Sequence, residues 1–153
     1  MEKTVNTKPF GEIKIDDRQI ISFPDGIPGF DYIKSFILLD SGDQNSPFKW
    51  LQAQNEDSLA FIVIRPSDFM ENYEPDISRG DLEAIECNDK EALVLFAIVT
   101  IPEDPANMTA NLQGPIIINT EKRLGRQAIS MNERYSVRHL ILDEMKKTSR
   151  KGG

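Results

Sequence analysis

The chain has 153 residues, 39% of them apolar and 28% charged, a composition that suits one compact domain able to bury its own core. Its 25 acidic residues outweigh 18 basic ones to give a net charge of −7, which disfavours binding a phosphate backbone by counterion release and makes a basic protein partner easier to accommodate. The single cysteine, Cys87, rules out an intramolecular disulfide and suits a reducing compartment. No apolar run approaches the roughly 18 residues of a membrane span, and the opening MEKTVNTKPFGE lacks a signal-peptide core, so a cytoplasmic address without membrane contact is expected.

Taken in chain order, short runs of Val, Ile, Phe and Leu separated by turn residues predict strands over 11–15, 19–23, 35–40, 48–54 and 59–65. Ile13 and Ile15 alternate with Glu12 and Lys14, the period of two expected of a half-buried strand. Pro24, Gly26, Pro28 and Gly29 punctuate the chain after the second run and predict a fixed turn, followed by a short helical turn over 31–34. In FKWLQ, Trp50 alternates with apolar neighbours and reads as a core or barrel-mouth anchor.

A short helix is expected after Ser78, where Ser78-Arg79-Gly80-Asp81 resembles a capping box and Leu82 and Ile85 follow at helical spacing. Glu74-Pro75-Asp76 just before it fits neither a central strand nor a continuing helix. Further strands are predicted over 92–100, 108–112, 115–119 and 126–129. ALVLFAIV at 92–99 is apolar on both faces, and LAFIVI at 59–64 nearly so, which places both centrally and covered on two sides. The last eight residues, KKTSRKGG, are expected to be a disordered basic tail, so the domain is assigned to 1–145 and the tail to 146–153. The fold class is therefore mainly β: a single-domain, antiparallel, barrel-like and partly open fold with one or two short helices.

Catalytic constellations are poorly supported. The one histidine, His139, has no neighbouring cysteine or paired aspartate in sequence, and one His with one Cys cannot supply an ordinary zinc site. There is no Walker loop and no GxSxG, so no cofactor or metal is expected, and His139 reads as a structural ring. Cys87 has no flanking Lys or Arg to activate it. The charge is uneven: residues 68–91 hold nine acids and two bases, a net of −7 that equals the charge of the whole chain. A solvated face is the plain reading of such a run.

TKPFGEIKID at 7–16, ISFPDGIPGF at 21–30, FILLD at 36–40, FKWLQ at 48–52, LAFIVIRP at 59–66, VTIPED at 99–104, MTANLQGPIIIN at 108–119, GRQAI at 125–129 and YSVRH at 135–139 occur in one order over most of the chain. In that order they resemble the flagellar assembly factor FliW family, with region 67–91 and the tail matching only loosely. The resemblance implies a cytoplasmic, non-enzymatic protein with two partners: flagellin, and CsrA, an RNA-binding dimer that represses flagellin translation. FliW free of flagellin antagonises CsrA, away from its RNA-contacting surface.

The acidic run suits a partner whose surface must be basic to hold RNA. Glu71, Glu74, Asp76, Glu83, Glu86, Asp89 and Glu91 are therefore expected to face CsrA, with Asn55 and Phe69 as further surface candidates. The motif residues Pro24, Gly26, Pro28 and Gly29, with Thr109 and Asn111, read as structural. The rival from another class is a cofactor-binding enzyme on a small split barrel. Direct nucleic-acid binding is disfavoured by charge and by the lack of a basic stripe interleaved with aromatics.

Overall fold

The computed structural model describes residues 2–43, 45–70 and 72–145. Eleven strands and one short helix are named along the chain. They are β1 (Glu2–Thr7), β2 (Gly11–Asp16), β3 (Ile20–Ser22), β4 (Ser35–Asp40), β5 (Phe48–Ala53), β6 (Ala60–Ile64), α1 (Arg79–Ala84), β7 (Leu93–Thr100), β8 (Thr109–Ala110), β9 (Ile116–Asn119), β10 (Leu124–Gln127) and β11 (His139–Leu140).

Strands β3, β4, β5, β6 and β7 pair antiparallel in sequence order, β7 then pairs β9, β9 pairs β10, and β10 returns to β3. Seven strands thus close a barrel. The closing seam is narrow: β10 meets β3 in parallel through the single pair Leu124 and Ser22, with Ser22 N–H donating to the Arg123 carbonyl at 2.9 Å. The expected mainly β, barrel-like fold forms, and this seam is where its antiparallel order is interrupted.

Period two explains the packing. Ile21, Phe36, Leu51, Ala53, Val63, Phe96, Ile116 and Ile118 point inward and fill the barrel with Phe23. The intervening residues point outward and are covered in three places. Ile37, Leu39 and the half-buried Trp50 lie under the β1–β2 hairpin with Val5 and Ile15. Ile64, Ala97 and Val99 are covered by Phe69, Tyr135 and Ile141. Ile117, Leu93 and Leu95 are covered by Ile77 and Ile85 around α1. β7 is therefore covered on both faces, as its unbroken apolar run demands.

Two local expectations are corrected. Residues 31–34 form a turn without helix, and the second short helical segment begins instead at residue 141. β1 escaped the sequence reading because only Val5 is apolar in EKTVNT, too weak a signal for a strand that pairs with all of β2. Gly26 earns its place in the expected turn: its φ is +67°, and a β-carbon there would lie 2.7 Å from the Asp31 Cα. The tail from 146 lies outside the described residues.

Candidate protein-docking face

The acidic run crosses the outside of the barrel over β7, β9 and β10, and its own pattern decides which side chains reach solvent. From 73 to 77 it is extended, so Tyr73, Pro75 and Ile77 turn inward while Glu74 and Asp76 are exposed. Backbone bonds pin it. Glu74 N–H donates to the Tyr135 hydroxyl at 2.7 Å, Asp76 N–H to Ser130 Oγ at 3.3 Å, and Met131 N–H to the Asp76 carbonyl at 3.0 Å. Tyr73 and Tyr135 pack edge to face with ring centroids 4.7 Å apart, and the Tyr73 hydroxyl donates to the Leu112 carbonyl at 2.5 Å. Burial, reinforced by Tyr135, pushes the Tyr73 hydroxyl well above the ordinary tyrosine range.

Ser78 begins α1 as expected, its hydroxyl accepting from Asp81 N–H at 3.0 Å. Ile85, at 1% exposure, anchors the end of the helix against Ile117 and Ala128. Glu86 follows with φ of +53°, a left-handed turn that breaks the helix and leaves its carboxylate outside. The Asp89 carboxylate accepts from Glu91 N–H at 2.9 Å, and both side chains are exposed.

One acid in the run is already committed. Asp81, 14% exposed, accepts from Arg126 Nε at 2.8 Å, while Arg126 Nη1 reaches Asp25 in the turn after β3. This ties α1 to β10 and to the Pro24–Gly29 turn. Glu83 and Arg79 stand 3.9 Å apart and Glu74 and Arg134 4.0 Å apart, all exposed, so water screens both pairs. Asp76, Glu86 and Glu91 make no ion pair among the described residues.

Glu74, Asp76, Glu83, Glu86, Asp89 and Glu91 are each exposed along this segment, an acidic ridge that follows the chain over the outside of the barrel. Glu71 lies outside the described residues. Asn55 is exposed in the β5–β6 turn, far along the chain from the ridge. Phe69 is corrected: it is 2% exposed and packs with Ile64, Ala97 and Leu112, because the turn at Pro66 folds it back onto the sheet. Cys87 is half-buried with Ile85, and His139 bonds Glu144 through Nε2 at 2.9 Å, a structural pairing.

Two residues beside the ridge were missed. Ile129 and Met131 are 69% and 67% exposed, and alternate with the buried Ala128 and Ser130 on the segment bonded to Asp76. The strand expected over 126–129 instead ends at Gln127, so Ile129 lies beyond β10. An exposed apolar pair flanked by carboxylates is a surface suited to a partner protein with an apolar patch and a basic rim.

Residues 4–141 match the sequence profile of the family described as FliW protein. The chain is 46% identical to the flagellar assembly factor FliW of Leptospira biflexa over 150 residues, covering 97% of each chain. It is 50% identical to that of Leptospira interrogans over 140 residues, covering 91% of this chain and 93% of the relative. A solved structure described as the crystal structure of the flagellar assembly factor FliW superposes with a TM-score of 0.83 at 37% identity, covering 91% of this chain and 96% of that one. With a profile match over residues 4–141, relatives 46–50% identical and the same barrel, the chain belongs to the FliW protein family.

Proposed function

We propose that this flagellar assembly factor works in the cytoplasm by binding and without catalysis. It holds flagellin and, when free of flagellin, binds and antagonises the translational repressor CsrA, relieving repression of flagellin mRNA translation. The observation that carries the reading is the segment 74–91: its apolar side chains pack on the barrel while its carboxylates project into solvent, an arrangement that suits a basic partner. Complementary potential speeds encounter, and a negative body docked beside an RNA groove repels phosphates without covering the groove. Exchange requires that flagellin lower the affinity for CsrA, by shared surface or by coupling between sites.

Calorimetry with purified CsrA and flagellin, separately and in competition, tests the reading. Stoichiometric binding of each, with flagellin displacing CsrA, is the expected result. Indifference to both partners at micromolar concentration, or turnover of a metabolite by the purified chain, overturns it.

A further inference from the structure

Alternating strand direction decides which loops meet at each end of the barrel. Because β3, β4, β5, β6, β7, β9 and β10 run alternately up and down, the starts of β3, β7 and β10 share one end with the finishes of β4, β6 and β9. The opposite end is plugged by the chain itself. There the turn between β3 and β4 folds Ile27, Phe30 and Ile33 against the core, and Phe30 packs edge to face on Phe61 at 5.2 Å between centroids.

The first end holds a cavity of about 270 Å³ instead. Its floor is apolar, formed by the buried Ile21, Phe96 and Ile118 with the half-buried Leu38 and Val94. An apolar cavity of about 150 Å³ takes a benzene molecule, so this one has room for a larger apolar body.

The rim is cationic. Arg18 stands before β3, Arg65 after β6 and Arg123 before β10, and all three line the cavity. The Arg65 guanidinium lies over the Phe96 ring, 5.9 Å from its centre. Carboxylates on the flanking segments are already engaged: Asp16 by Arg18 at 3.1 Å, Asp17 by Lys3 at 3.4 Å, and Asp40 by Lys49. Arg65 and Arg123 make no ion pair among the described residues. On a chain of net charge −7, two such guanidiniums beside an apolar cavity reverse the local sign.

Arg123 is also held where an arginine is unfavourable. Its φ is +54°, in the left-handed region that glycine enters at least cost. Its N–H donates to the Asn119 carbonyl at 2.8 Å and its carbonyl accepts from Ser22 N–H at 2.9 Å, so the backbone is fixed on both sides while the side chain reaches the mouth. The turn requires only the conformation; the guanidinium is what glycine would not supply.

We infer that the open mouth of the barrel binds a small apolar monocarboxylate, its hydrocarbon body on the Phe96–Ile118 floor and its carboxylate at the arginine rim. Guanidinium forks match the two oxygens of a carboxylate, and a concave apolar site with a few convergent polar groups is the usual form of a small-molecule site. The chain's own basic run KKTSRKGG does not suit it, having neither an apolar nor an acidic side chain. The site goes beyond the acidic ridge and is opposite to it in sign, and its test uses neither CsrA nor flagellin.

The experiment follows amide resonances of the full ¹⁵N-labelled chain during titration with octanoate. Saturable shifts at Arg65, Val94, Phe96, Ile118 and Arg123 are expected. Octanol, which lacks the charge, and acetate, which lacks the body, should each bind at least tenfold more weakly. Arg65→Gln should weaken octanoate several-fold. Arg123→Gly should weaken it as much while the midpoint of thermal unfolding holds or rises, because glycine relieves the left-handed backbone. A purely structural role for Arg123 gives the reverse, a lower midpoint with octanoate binding unchanged, and would remove Arg123 from the site. Absence of saturable shifts at millimolar octanoate, octanol binding as tightly as octanoate, or unchanged binding in both variants overturns the site. A short peptide ending in leucine with a free carboxylate is the last arm. Tighter binding of that peptide than of octanoate, lost on amidation, overturns the assignment to a small acid in favour of a polypeptide terminus.

Discussion

Gly125 on β10 lies directly beneath the ring of Phe23: a β-carbon at 125 would sit 2.5 Å from Phe23 Cζ and 2.6 Å from Cε1. Phe23 is wholly buried and packs edge to face on Phe36 at 5.0 Å between centroids, so its ring has nowhere to go. The pair stands beside the one-residue seam that closes the barrel. Gly125→Ala should therefore cost about 1–3 kcal/mol by overpacking. Chemical denaturation should detect the loss, and Phe23→Leu in the same chain should recover part of it, whereas additive losses would show that the two residues are not coupled.

Arg126 joins Asp81 to Asp25 across the outside of the barrel. Arg126→Gln removes the charge and shortens the side chain, leaving the mostly buried Asp81 without its cation. A loss of ~1–2 kcal/mol is expected, at the low end because Asp25 is largely solvated. Hydrogen exchange should localise the change to α1 and the turn after β3, and uniform acceleration across the barrel would contradict the clamp.

The docking face makes two separable predictions. Asp76→Lys, Glu83→Lys and Glu86→Lys together should lower CsrA affinity most at low salt, because exposed charges are screened within a Debye length of about 10 Å at 0.1 M. Ile129→Ser with Met131→Ser should weaken the same complex about tenfold with little dependence on salt, since the loss is apolar. Both sets lie on exposed side chains, so thermal stability should stay within about 0.5 kcal/mol of the parent. Unchanged affinity in both variants would remove this face as the proposed CsrA site.

Asp16 provides a pH test. Its carboxylate accepts from Arg18 Nε at 3.1 Å and from Arg18 N–H at 2.9 Å, and these bonds lower its pKa from 3.8 to about 2. Since the folded value lies below the unfolded one, the contribution is fully present above the ordinary carboxylate value and is lost as pH falls toward 2. Carboxyl-detected NMR titration should find Asp16 still ionised at pH 3, and Arg18→Ala should raise its pKa only part of the way to the ordinary range, since the backbone N–H of residue 18 still donates to it.

Tyr73 shifts the opposite way. Its buried hydroxyl should remain protonated when the pH passes the ordinary value of 10, so stability should fall as pH rises above that value and the unfolded chain alone ionises. Ultraviolet titration should show one of the three tyrosines lagging, and Tyr73→Phe should remove the lag. That substitution also strands the Leu112 carbonyl, at a cost of ~1–2 kcal/mol in denaturation.

Much of this architecture was legible locally. Strands such as β4, predicted and observed over Ser35–Asp40, declare themselves by composition and alternation within six residues. The cap at Ser78 and the turn around Gly26 also depend on near neighbours. The candidate face was half legible: acidic residues at 74–91 signal an exposed segment by charge alone, but nothing within the run marks Asp81 as the one taken by Arg126, which lies 45 residues away. Phe69 misled for the same reason, since an aromatic among acids looks exposed until the Pro66 turn brings it against β7.

By itself the sequence determined strand content, the family to which the chain belongs and the sign of its surface, because each is written in periods, motifs and totals that need no folded partner. Closure of the barrel at Ser22 and Leu124 and the Asp25–Arg126 link across 101 positions were decided only in three dimensions. Each depends on which distant part of the chain arrives alongside.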